Sequence, residues 1–287
     1  MNQPEQADAG DVPQGATCPV PDCPLAADIV LRSCDKKLIG AHKLNLARYS
    51  EGFPAPGDVI APDKAVDLTE NAKTLRVLMT FMHSQRFPSL LNMHEESFQE
   101  LLELADAAEK YLVHSAMAVC NLRLASSDDI FVMSNGLKIL EYAIKHNYPD
   151  VADRAAPWTL SESWDDVARH IGCGQEMMAW ARYREKHISV LETMVSPIGM
   201  EIEDSGLGCM KRWFSFQSTV FQSLPATIRG RLDSLKGGRE NPLRAATKKH
   251  MSMLNGCSTS MCQNRVWEWL ERCDDDLNNI AAFHTFL

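Results

Sequence analysis

Strand-like sequence crowds into the first 70 residues of this 287-residue chain and is scarce after residue 90. Residues 28–33 are rich in β-branched and aliphatic side chains, as a short strand is. A polar Cys-Asp-Lys-Lys turn at 34–37 separates them from a second apolar run at 38–41, which predicts a hairpin. A short helix over 42–49 follows, with Leu44 and Ala47 facing inward, then a Pro- and Gly-rich loop from Phe53 and a third strand over 65–68. Further on, apolar positions recur at helical spacing: Leu75, Leu78, Met79 and Met82, and then Leu101, Leu104, Ala105 and Ala108. Thr69 or Asn71 stands ready to cap the first of these helices. Pro88 breaks the chain between them, and a turn near Tyr111 separates the second from a helix over 112–124. Ile139, Leu140, Ala143 and Ile144 form another helical face, a shorter helix stops at Pro157, and 177–194 is a further candidate. Three short strands followed by helices predict an α+β fold: a small α/β domain and an all-helical extension.

The ends and the composition narrow the class. Residues 1–24 hold five of the 14 prolines and few large apolar side chains, and read as a flexible leader. That leader has neither a basic region nor an apolar core, so it does not read as a secretory signal. Nine cysteines, an odd number, then read as reduced thiols of the cytosol or nucleus. No window of 18 apolar residues offers a membrane-spanning helix. A net charge of −9 disfavours a chain built as a whole to neutralise phosphate. All six tryptophans lie after residue 157, a shift that marks a separate C-terminal region.

The ordered set Asp28, Leu31, Ser33, Asp35, His42, Leu46, Ser50 and Phe53 resembles the BTB/POZ domain. Leu68 and the helix carrying Leu78 to Phe81 follow at the expected distances. Leu101-Leu102-Glu103-Leu104-Ala105, Glu109-Lys110-Tyr111 and Cys120 are similar to the Leu- and Ala-rich part of that family. The resemblance covers about residues 26–125, and the stretch 139–160 is similar to the helical extension of many fungal BTB proteins. Two positions depart from the pattern. Leu38 and Ile39 stand where the family often has an aromatic residue, and His83 stands where a helix usually ends in Tyr. The resulting division is a leader at 1–24, a BTB/POZ-like domain at 25–125, a helical extension at 126–195 and a helical region of unknown type at 196–287.

The resemblance implies a non-enzymatic module that binds other proteins, with a homodimer and a cullin as candidate partners. Asp28 reads as satisfying backbone donors at a turn, and the resemblance implies the alternative that Asp28 with Lys43 forms a charged pocket for partner peptides, as in some BTB proteins. Phe98-Gln99-Glu100 resembles the hydrophobic-x-acid motif with which some BTB adaptors of ubiquitin ligases grip a cullin, and Met93-His94-Glu95 fits equally. An amphipathic helix start, with Glu favoured near its positive end, explains the same residues. His42 serves catalysis only beside a nucleophile and an orienting acid; no Gly-x-Ser-x-Gly elbow or Cys-His signature supplies them, so it reads as a packing residue. No phosphate-cradling glycine loop is present.

Two cysteine pairs invite a metal. Cys257 and Cys262 have four residues between them, with Cys209, His250 and Cys273 as candidate further ligands, although no second close pair joins them there and small buried thiols among Met, Leu and Trp neighbours are the plainer account. Cys18 and Cys23 have the same spacing, but two intervening prolines make an extended lead-in to the first strand the simpler reading. No cofactor is expected. Residues 211–249 hold nine basic and two acidic side chains, a candidate nucleic-acid patch for a transcription-linked factor, although a solvated basic face is the plainer account. Trp267, Trp269 and Leu270 read as an anchor for the C-terminal helices.

Overall fold

β1 (Ile29–Arg32) and β2 (Leu38–Ala41) form the expected antiparallel hairpin, with Leu31 opposite Ile39 and Ile29 opposite Ala41. The computed structural model describes residues 16–53, 65–88, 90, 97–125, 134–196, 202–236, 241–255 and 261–287, and leaves aside the side chains of 202–207 and 261–263. Ser33 makes the hairpin turn: its hydroxyl donates to the Lys37 carbonyl and accepts from the Lys37 N–H, while Lys36 takes a left-handed φ of 62°. β3 (Val66–Asp67) pairs in parallel with β1, giving the order β2-β1-β3. Leu31, Ile39 and Ala41 are buried under this sheet.

α1 (Lys43–Tyr49) buries only Leu46. Leu44 and Ala47, expected to face inward, are exposed. The Leu46 N–H bonds the His42 carbonyl one turn back, and His42, Leu46 and Ser50, four residues apart, share the buried stripe. α2 (Ala72–Phe81) begins at Asn71, whose side chain accepts from the Thr74 N–H, while Asp35 accepts from the Ala72 N–H. The Ser33 hydroxyl and the Ala72 N–H hold the Asp35 carboxyl below its ordinary range. Leu75, Leu78, Met79 and Met82 are buried, in keeping with their spacing. α3 (Phe98–Tyr111) ends where Leu112 turns left-handed, and α4 (His114–Leu124) follows.

A polar joint holds the end of α3 against the rest of this unit. The Tyr111 hydroxyl donates to Glu70 at 2.6 Å, and Lys110 donates to the same carboxylate at 2.7 Å. Burial alone would raise the Glu70 carboxyl, but Lys110, Tyr111 and Thr69 outweigh it and hold it low. Burial and the Glu70 carboxylate push the Tyr111 phenol up, so it stays a donor. On the other side, the Ser50 hydroxyl donates to the Tyr111 carbonyl and accepts from the Phe53 N–H, and Phe53 stacks on Tyr111 at 4.2 Å. Gly52 passes so close that a Cβ would lie 2.6 Å from the Tyr111 backbone.

The chain divides into two compact units, 1–134 and 135–287. The second is helical throughout its described elements, so the fold is α+β with a helical extension. Its helices are α5 (Gly136–Lys145), α6 (Pro149–Ala155), α7 (Trp164–Ile171), α8 (Gln175–Val195), α9 (Ile202–Gln222), α10 (Ile228–Asp233), α11 (Pro242–His250) and α12 (Met261–Asn278). The division expected at 195/196 falls inside this unit, where α8 packs against α9 and α12. Gln217 spans that junction by donating to the carbonyls of Met194 and Ser196. Trp213, Phe216 and Trp269 form one aromatic core, and Trp180 another, its indole N–H donating to Thr159 at 2.8 Å. Within the expected C-terminal anchor, Trp269 and Leu270 are buried while Trp267 is exposed.

Candidate functional site

The corner between β2 and α1 gathers Asp28, His42 and Lys43. The Asp28 carboxylate accepts from the backbone N–H of Lys43 at 2.7 Å, which caps the start of α1. Asp28 and Lys43 therefore meet, but through the main chain. Because Asp28 does the capping, the His42 side chain makes no cap bond and is free to turn inward, where it is buried.

His42 lies in a cluster that none of these three residues announces. Its Nε2 is 3.3 Å from the Cys23 sulfur, and its Nδ1 is 3.0 Å from the Ala26 carbonyl. His83, just past the end of α2, repeats the arrangement: Nε2 is 3.4 Å from the Cys18 sulfur and Nδ1 is 2.8 Å from the Met79 carbonyl. The potential ligand atoms of Cys18, Cys23, His42 and His83 all lie within 4.8 Å of one another. A Cys–His pair can also serve a nucleophile, but both imidazoles are held by main-chain carbonyls and not by an acid. Burial raises the Cys18 thiol, and the Cys23 thiol beside it adds to the rise, opposite to what a thiolate nucleophile needs. Taking Cys18 to Cys23 as an extended lead-in and His42 as a packing residue misses this convergence. The signals in the sequence are the Cys18–Cys23 pair and His83, which stands where the resembled family usually has Tyr.

The remaining candidates are dispersed. Phe98 is 3% exposed, so it fills the core and is not presented on the surface, and Glu100 forms an ion pair with Lys73 of α2. The pair thus follows the amphipathic-helix account and offers no hydrophobic-x-acid grip in this conformation. Met93 and Cys257 lie outside the described residues, and Cys262 is placed only as a position in α12. Cys273 of that helix is buried, and burial pushes its thiol up to about 12.

In the helical unit, an open cleft of about 420 Å³ is lined by Asp153, Tyr183, His187, Arg229, Lys236 and Phe283, among others. Burial lowers the His187 imidazole and raises the Tyr183 phenol, so both stay neutral. Within the basic window 211–249, Arg229 and Lys236 pair with Asp233, and Arg244 pairs with Asp274. Arg229 stacks on Trp158 and Arg231 on Phe221, at 3.8 and 3.9 Å. Cations engaged in this way fit a structural basic face better than a phosphate track. Among the described residues, no helix is long and apolar enough to cross a membrane.

A three-stranded sheet with a hairpin leading into a short helix, followed by paired helices, is the arrangement that the resemblance to BTB/POZ domains implies. Comparison with known proteins points the same way. The chain is 31% identical over 145 residues to a BTB/POZ domain-containing protein of Arabidopsis thaliana. The match covers 48% of this chain and 45% of that relative, so it spans less than half of either. No protein-family profile matches the chain, and no solved structure matches it.

Proposed function

We propose that the chain is a non-enzymatic protein–protein interaction module of the BTB/POZ kind. The likeness over 145 residues to a BTB/POZ domain-containing protein carries the reading. The ordered residues from Asp28 to Cys120 support it, as does the burial of Leu31, Leu46, Phe53, Leu78, Leu101 and Leu104 in one small unit. Leu44 and Leu122, 70% and 75% exposed, leave apolar side chains in water and are the positions at which a contact is tested. The helical unit then positions a client or a second subunit.

Affinity purification of the full chain with mass spectrometry, alongside light scattering, tests the proposal. A reproducible protein partner or a defined homodimer is expected, lost in Leu44→Glu or Leu122→Glu without a fall in melting temperature. A monomer that recovers no partner would overturn it. A pulldown with a cullin N-terminal domain separates the ubiquitin-ligase adaptor role from other interactions, since retention at micromolar concentration would identify that class.

A further inference from the structure

We propose that Cys18, Cys23, His42 and His83 are the ligands of a structural zinc ion that fastens residues 16–24 onto the β2–α1 corner. Their donor set is two thiols and two imidazoles, the composition that zinc takes in closed tetrahedral sites. Zinc–sulfur bonds of about 2.3 Å and zinc–nitrogen bonds of about 2.0 Å give tetrahedral edges of roughly 3.3–3.8 Å. The two sulfur–nitrogen separations, 3.4 and 3.3 Å, lie within about 0.2 Å of the roughly 3.5 Å sulfur–nitrogen edge, and the four atoms, all within 4.8 Å of one another, would close by about 1.5 Å at most around one ion.

The imidazoles are prepared for this role. Each directs Nδ1 at a main-chain carbonyl, Ala26 for His42 and Met79 for His83. An Nδ1–H donated there leaves a lone pair on Nε2, and in both residues Nε2 is the atom facing a cysteine sulfur. Charge balances as well: zinc displaces one proton from each thiol, and two thiolates neutralise the dication. The site then carries no net charge into a corner where His42 and His83 are buried.

The path of the chain supplies a second argument. Residues 16–24 run against β2, where the Gly40 N–H donates to the Thr17 carbonyl at 3.1 Å. A Cβ on Gly40 would lie 2.5 Å from the Ala16 carbonyl oxygen, so the glycine makes room for this passage. Asp22 adopts a left-handed φ of 55° and the Cys23 N–H closes a turn on the Val20 carbonyl, bringing the two cysteines round to one side. Val20 is the only residue of the segment that is buried. Burying one valine offsets a small part of the entropy lost in ordering this length of chain. Metal–ligand bonds supply what apolar burial does not.

Elemental analysis of the whole 287-residue chain, expressed with zinc and freed of loosely held metal, tests the assignment. About one zinc per chain is expected. The Cys18→Ser/Cys23→Ser variant should lose it, whereas Cys257→Ser/Cys262→Ser should keep it. Wild-type apoprotein titrated with cobalt(II) should show tetrahedral visible absorption with thiolate charge transfer, a readout that does not depend on any variant folding. Chelation should open residues 16–24 to protease. Less than about 0.2 zinc per chain with no such cobalt spectrum would overturn the proposal. So would a Cys18–Cys23 disulfide in freshly purified protein, or zinc that follows Cys257 and Cys262 instead.

Discussion

The two units solve the same problem with different materials. Residues 1–134 have strands of two to four residues and a core of aliphatic side chains with Phe53, Phe81, Phe98 and Tyr111 but no tryptophan, and polar groups close their junctions: Asp28 with Lys43, Asp35 with Ala72, Glu70 with Tyr111, Ser50 with Phe53 and Tyr111. Residues 135–287 have helices of up to 21 residues and bury Trp180, Trp213, Trp269, Phe216 and Phe283. A small sheet with strands of two to four residues lacks the area to fix its own geometry, so directional bonds at its joints do so. Long amphipathic helices need volume more than direction, and large aromatic rings supply it. Damage to the first unit should therefore act through single bonds and close approaches, and damage to the second through cavities.

The largest expected effect tests the helical side of that contrast. Trp269→Ala should destabilise the second unit by about 3–5 kcal/mol, because it empties a fully buried ring site. Hydrogen exchange should rise across α9 and α12 while β1 and β2 keep their protection. A uniform rise across both units would break the comparison.

Gly52→Val comes next. It forces a side chain into the Tyr111 backbone, and a loss of about 1–3 kcal/mol is expected in the first unit alone. Denaturant unfolding with a probe in each unit would resolve this. Tyr111→Phe should cost about 0.5–1.5 kcal/mol, since it keeps the ring stacked on Phe53 and removes one donor to Glu70 while Lys110 and Thr69 remain. A neutral result would mean that Lys110 and Thr69 satisfy the carboxylate.

The smallest effect is a pH dependence of the second unit. Burial first, then the nearby Lys236 and Arg229 charges, lower the His187 imidazole below its ordinary value. The unfolded chain then takes the proton first as pH falls. The stability contributed is full above about pH 6.5 and is lost progressively below it. Melting curves of wild type and His187→Gln should converge in slope above that pH and diverge below it, with the variant the flatter of the two.

Most of the α+β order is legible in the sequence, because hairpin, turn and amphipathic helix are written in periodicities of two and 3.6 residues. Leu75, Leu78, Met79 and Met82 fall where that spacing puts them. The same reasoning misjudges α1, since seven residues are too few for the period to show which stripe is buried, and Leu46 takes the place expected of Leu44. Phe98 reads as a surface motif in sequence because three residues carry no information about what lies above them.

By itself, then, the sequence determined the small sheet, the helical remainder, the turn chemistry and the absence of any familiar catalytic signature. Tertiary structure alone decided that Cys18, Cys23, His42 and His83 meet. The physical reason is distance along the chain. Local periodicity reports how a residue sits on its own element, whereas a site assembled from a Pro-rich segment, a helix start and a helix end depends on how separate elements pack. Cys23 and His42 are 19 positions apart, and His83 lies 41 beyond His42, so only folding could bring the four together.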